Sequence, residues 1–206
     1  MGRQPYVIGL TGPTGSGKST VAQTLRRLGC AIVDADAAAR NAAEQPACLA
    51  KLKEAFGADI IRPDGVLDRK ALSKRAFASS EATRLLNSIT HPAIFETCIR
   101  QIQESQRTGC KAVILDAPLL FESGAERLCD AVIAVTAPPE SRLRRIMARD
   151  NIGEDLARAR MEAQHGEEYY TKRAGYAFSG STEWSVLDKK AGELLERILE
   201  NLDQKT

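Results

Sequence analysis

The segment Gly12-Pro13-Thr14-Gly15-Ser16-Gly17-Lys18-Ser19 brings together the residue types that bind phosphate. Its spacing, Gly-x-x-x-x-Gly-Lys-Ser, is a complete P-loop pattern. Gly12, Gly15 and Gly17 allow backbone turns that aim successive N–H groups inward at phosphate oxygens. A helix opening near Lys18 adds the positive end of its dipole. Lys18 can reach the β- and γ-phosphates of a nucleotide, and the hydroxyl of Ser19 can bind Mg²⁺. Gly12 through Thr20 are therefore the candidate ATP-binding residues: Gly12, Pro13, Thr14, Gly15, Ser16, Gly17, Lys18, Ser19 and Thr20.

Three carboxylates follow short apolar runs. Asp34 and Asp36 end "CAIVDAD" (30–36); in an extended segment they share a face, whereas if the strand ends at Asp34 they need not. Phosphoryl transfer to an alcohol needs an acceptor for the hydroxyl proton and oxygens near Mg²⁺, which this pair can divide. The competing reading makes Asp36 the cap of the next helix, for which Asp is favoured. Asp116 ends "KAVILD" (111–116) and is a candidate to hold Mg²⁺ through water; its alternative is a turn residue before Pro118. Arg142, Arg145 and Arg149 recur at i, i+3 and i+7, on one helix face, with Leu143, Ile146 and Met147 on another. Guanidinium groups there can neutralise a transferring phosphoryl group, with Arg145 the leading candidate; the alternative is a solvated charged face. Arg158 and Arg160 follow on the next helical segment.

The elements that must position these groups are legible as alternating short apolar runs and helical stretches. Strands are expected at 6–10, 30–36, 111–116 and 129–139, with a short last strand within 175–181. Helices are expected over 17–29, through most of 37–109 apart from a Pro-Asp-Gly turn at 62–68, over 140–149 and 153–174, and over 186–202. Unbroken apolar strands between helices predict an α/β fold with a parallel sheet covered on both faces.

The chain has 206 residues, with 29 Lys and Arg against 27 Asp and Glu, a net charge of +2. That balance argues against a strongly electrostatic nucleic-acid binder. No apolar run is long enough to span a membrane, and the first residues lack the pattern of a signal peptide. Five scattered cysteines without a C-x-x-C pair fit reduced thiols in a cytoplasmic protein. No Asn-Lys-x-Asp base-reading segment of a GTPase is present. A motor or transport ATPase would be larger or carry a second signature, so the pattern favours a kinase of a small metabolite.

Five segments in order resemble the dephospho-CoA kinase family: "GLTGPTGSGKS" (9–19), "VDADAAAR" (33–40), "LLNSITHPAIF" (85–95), "APLLFESG" (117–124) and "RLRRIMARDNI" with "ARARMEAQ" (157–164). The resemblance implies a P-loop NTPase-type three-layer fold with a helical insertion and a lid. It implies transfer of the γ-phosphate of ATP to the ribose 3′-hydroxyl of dephospho-CoA, the last step of CoA biosynthesis. Residues 1–36 and 111–206 would form the nucleotide-binding core, 37–110 the insertion receiving the CoA moiety, and about 140–175 would include the lid. Lys18, Asp36 and Arg145 would be catalytic, with Asp36 as base. Arg145 and Arg149 would bind ATP; Asp36, His91 and Leu119 would bind substrate; Ser19, Asp34 and Asp116 would serve Mg²⁺. His91 belongs to the family's His-Pro segment and is expected at a helix start. ATP and dephospho-CoA are the expected partners, with no nucleic acid, no membrane and no obligatory protein partner. Two departures stand out. Pro13-Thr14 replaces the commoner Gly-Ile, and "AGYAFSGSTEW" (174–184) stands where the family has an Asp-Tyr-Val-Ile-Asp-Asn run. A nucleoside or nucleotide kinase of the same superfamily, or a non-catalytic ATP-binding module, are the alternatives.

Overall fold

A computed structural model of the chain describes residues 4–205. Strand β1 (Val7–Thr11) is buried along its whole length, as a central strand covered on both faces must be. It is followed by helix α1 (Lys18–Arg27), strand β2 (Ala31–Asp34) and helix α2 (Ala35–Ala43). Then come α3 (Pro46–Phe56), α4 (Arg69–Ala76) and the long α5 (Ser80–Gln106). Strand β3 (Val113–Asp116), β4 (Ala131–Thr136), α6 (Pro139–Asp150), α7 (Glu154–Glu162), α8 (Glu167–Thr171), β5 (Tyr176–Ser179) and α9 (Trp184–Asp203) complete the chain.

The five strands form one sheet in the order β2-β3-β1-β4-β5. The β1–β3, β1–β4 and β4–β5 pairs are parallel. Successive connections therefore leave β1 in opposite directions, and ligands of such sheets sit beyond the carboxyl ends of the strands at that reversal. The segment Gly12–Gly17 occupies that place. Ile8, Leu10, Ile114, Ile133 and Val135 pack with Val21 and Leu25 of α1 and Leu187, Leu194 and Ile198 of α9 in one apolar core. On the sheet's other side Gly9 is packed so closely that a Cβ would lie 2.8 Å from Leu120 Cδ2.

The chain divides into two compact units. One takes the chain up to Val33 and again from Ile102; the other is Asp34–Gln101. The second unit has its own core, built from Cys48, Leu52 and Phe56 of α3, Ile60, Leu67, and Leu72 and Ala76 of α4. The Pro-Asp-Gly turn lies in it, closed by an antiparallel bridge between Ile61 and Leu67.

Three expectations need correction. Strand β2 stops at Asp34, and Asp36 already lies in the first turn of α2, so the two carboxylates do not share a strand face. The cap of α2 is Asp34, whose Oδ1 accepts from the N–H of Ala37 at 2.9 Å. His91 does not start a helix: it lies inside α5, and Pro92 is accommodated within the same helix. Proline is a poor guide to a boundary here because the flanking sequence is long and strongly helical. The expected helix over 153–174 is two helices, α7 and α8, separated by a turn containing Gly166.

Candidate active site

The cradle is shaped by glycine and held from outside. Gly12, Gly15 and Gly17 have φ of 145°, 76° and 93°, values that side chains rarely adopt. At Gly12 a Cβ would collide with the carbonyl of Val135. Gly17 caps α1 in the left-handed conformation with no side chain over the first turn, so that turn stays open to an anion. Among the described residues the N–H groups of Gly15, Gly17, Lys18 and Ser19 donate to no protein acceptor. Those of Ser16 and Thr20 are committed, to the carbonyls of Pro13 at 3.1 Å and Gly17 at 3.0 Å. Pro13 has no N–H, and that of Thr14 is taken by Gln164. The side chain of Ser16 is buried, and its hydroxyl has no hydrogen-bond partner. A phosphate chain supplies the acceptors that such a set of donors needs.

Lys18 Nζ donates to Asp116 Oδ1, which ends β3 beside the cradle. Both side chains are mostly shielded, at 16% exposure each. The structure thus brings Lys18 and Asp116 together as an ion pair, a contact the sequence reading did not include. Ser19 is exposed in the first turn of α1. Among the described residues no group of three or more His, Cys, Asp or Glu could hold a metal ion.

The arginine face of α6 divides by depth. Arg142 is buried, 6% exposed, and its Nε donates to the carbonyl of Thr14 at 2.8 Å. Arg145 is exposed and donates to the carbonyls of Gly15 at 3.1 Å and Gly180 at 3.0 Å. Arg149 points away to Asp150, pairing through Nε at 2.7 Å, and Arg160 joins the same carboxylate. The two guanidinium groups hold the Asp150 carboxyl below the usual range, Arg149 most strongly. Arg158 pairs with Glu154. These outer arginines take the solvated, carboxylate-laced arrangement that was the alternative reading.

Sequence reasoning missed two residues here. Gly180, just after β5, approaches so closely that a Cβ would overlap the carbonyl of Ser16. Gln164 reaches Thr14 from the turn after α7. Gly180 lies in the quoted 174–184 segment and Gln164 ends the quoted 157–164 segment, but nothing in either pattern marked them as partners of the cradle.

In the Asp34–Gln101 unit, Asp36 is exposed and makes no hydrogen bond or ion pair among the described residues. Asp34 is committed through one oxygen to its capping bond. His91 is half-buried in α5. Leu119 follows β3 in the other unit and is 58% exposed, unusual for leucine.

The dephospho-CoA kinase family profile matches residues 6–185. The chain belongs to the dephospho-CoA kinase family. It is 45% identical to a dephospho-CoA kinase of Corynebacterium efficiens over 194 residues, covering 93% of this chain and 96% of that one. Among solved structures it is similar to TT1252 from Thermus thermophilus, with a TM-score of 0.77, 34% identity and 98% of each chain covered. It is also similar to a dephospho-CoA kinase from Campylobacter jejuni, with a TM-score of 0.70, 27% identity, and 95% and 98% of the two chains covered. The activity is that of a dephospho-CoA kinase (EC 2.7.1.24), an ATP-dependent phosphotransfer and the final step of CoA biosynthesis. The dephospho-CoA kinase resemblance seen in the five sequence segments therefore extends through α8 and β5 to the start of α9, including the atypical 174–184 stretch.

Proposed function

We propose that the residues described above divide the phosphotransfer as follows. The N–H groups of Gly15, Gly17, Lys18 and Ser19 hold the phosphate chain of ATP, with Gly12, Pro13, Thr14, Ser16 and Thr20 shaping the cradle. Lys18 leaves Asp116 for the β- and γ-phosphate oxygens. Asp36 accepts the proton of the ribose 3′-hydroxyl of dephospho-CoA as its oxygen attacks the γ-phosphorus, and the bond to the ADP oxygen breaks. Arg145 neutralises charge that spreads over the transferring group, with Arg149 further out. Ser19, Asp116 through water, and Asp34 through its second oxygen would hold Mg²⁺. Bound there with ATP, it would neutralise the β- and γ-oxygens.

The observation that carries this reading is the cradle: four uncommitted N–H groups, a shielded lysine and a buried orphan hydroxyl at one helix start. Asp36 is supported by its exposure and by having no hydrogen-bond or ion-pair partner among the described residues, the cap being Asp34. Residues 37–110 would receive the CoA moiety, with His91 contributing there and Leu119 from the segment after β3; about 140–175 would form the lid. A cytoplasmic location fits five cysteines without a disulfide. Among the described residues no helix is long and apolar enough to cross a membrane. The test is ADP release from MgATP with dephospho-CoA beside a panel of nucleosides and nucleotides. Turnover confined to dephospho-CoA, with CoA as product, is expected; turnover with another acceptor overturns the acceptor assignment.

A further inference from the structure

Thr14 lies in the part of the cradle that glycine does not shape. Its N–H donates to Oε1 of Gln164 at 2.8 Å, and its carbonyl accepts from Nε of Arg142 at 2.8 Å. Gln164 is 150 positions away and Arg142 is 128. The N–H belongs to the Pro13–Thr14 peptide and the carbonyl to the Thr14–Gly15 peptide, so the peptide on each side of the Thr14 Cα is held by a side chain of another element and neither can turn without breaking its bond. Neither bond is one that secondary structure would supply.

The Arg142 guanidinium is an unusual partner. It is buried, and among the described residues it makes no ion pair and its Nη2 has no hydrogen-bond partner. Burial pulls its pKa below the ordinary value, against the opposing pull of Glu167 and Tyr170 on α8. A buried cation with few satisfied donors is unfavourable by itself. Its Nε bond to the Thr14 carbonyl places the charge against the cradle, where its field adds to that of the α1 N-terminus. Tyr170, 1% exposed, lies within electrostatic reach of the same guanidinium.

We propose that Gln164 and Arg142 are positioning residues that fasten the α7–α8 segment to the cradle at Thr14 before nucleotide arrives, and so set affinity for ATP rather than the rate of transfer. Thr14, with the peptides on its two sides, is the pinning point. Gln164 supplies the acceptor side from the turn after α7, and Arg142 the donor side from the first turn of α6. This rests on the cradle being the ATP phosphate site. It adds that the cradle is pre-set by a residue outside the P-loop pattern.

Gln164 gives the cleaner test, because replacing the buried Arg142 threatens the fold. Exchange of the Thr14 amide would be followed by NMR in the ligand-free chain, for wild type, Gln164→Ala and Gln164→Glu. Slow exchange is expected in wild type, fast exchange in Gln164→Ala, and restored protection in Gln164→Glu, which keeps an acceptor oxygen. In steady-state assays Gln164→Ala should raise KM for ATP about fivefold with kcat within twofold, as loss of one hydrogen bond implies. Titration with MgADP should show a similar weakening, and Gln164→Glu should recover at least half of it. Fast Thr14 exchange in wild type overturns the proposal. So does a fall in kcat at unchanged KM, or a Gln164→Glu variant no better than Gln164→Ala. The exchange measurement needs neither turnover nor acceptor, so its failure is separate from any failure of wild type to phosphorylate dephospho-CoA.

Discussion

The two units of the chain are built on different principles. In the unit that carries the cradle, position is fixed by backbone: glycines at φ values closed to other residues, carbonyls of Thr14 and Gly15 gripped by α6 arginines, and Gly180 wedged on Ser16. In the Asp34–Gln101 unit, position is fixed by side-chain packing around Leu52, Phe56 and Ile60, and no sheet underlies it. Several large apolar side chains stay exposed there, Phe77 at 66% and Leu85 at 44% among them. Chemistry at phosphorus tolerates little misplacement, and a loop held at several backbone points supplies that precision. Packed helices without a sheet hold their shape by many small contacts, each replaceable at modest cost.

The comparison can be broken or sharpened by experiment. The largest effect should come from Lys18→Ala, which removes the only lysine of the cradle and should lower kcat about a thousandfold, as loss of a preorganised charge contact does. Single-turnover phosphate transfer would check it. Asp36→Asn should lower kcat by about a hundredfold, within the range for a positioned base. Near wild-type turnover would remove Asp36 from that role. A pH–rate profile of the variant that keeps the acid limb of the wild type would do the same.

Gly180→Ala tests the backbone principle where no P-loop pattern marks it. The added Cβ must displace the Ser16 carbonyl, and the cost of overpacking should raise KM for ATP about tenfold. Unchanged KM would mean that the cradle yields as easily as packed helices do. Leu52→Ala tests the packing principle: a fully buried leucine lost from a small core should cost about 3 kcal/mol by denaturant unfolding. Binding of MgADP should change less than twofold. Smallest of all, Arg149→Gln should alter KM for ATP by less than threefold, because its guanidinium is committed to Asp150 and mostly exposed.

Much of the first unit was legible in the sequence because its signals are local. The spacing of Gly12, Gly17, Lys18 and Ser19 and the apolar runs of β1, β3 and β4 survive as short words. The face shared by Arg142, Arg145 and Arg149 was legible as helical periodicity, but not its division by depth, which depends on what packs over α6 and α7. The contacts at Thr14 and Ser16 join residues more than a hundred positions apart and leave no periodic trace. Which of Asp34 and Asp36 caps α2 turned on where β2 stops, a matter of two residues. Pro92 misled because a long helix can absorb a proline that a short one cannot.

The pairing of Lys18 with Asp116 sets a condition on what may enter the cradle. At rest the lysine's charge is already answered by a carboxylate held mostly away from water. An incoming anion must outbid that carboxylate, and the contest depends on how many negative charges it brings within reach at once. On the proposed reading, a polyphosphate chain that engages the open N–H groups of α1 also draws Lys18 away from Asp116, so part of the binding free energy is offset by the ion pair that is broken.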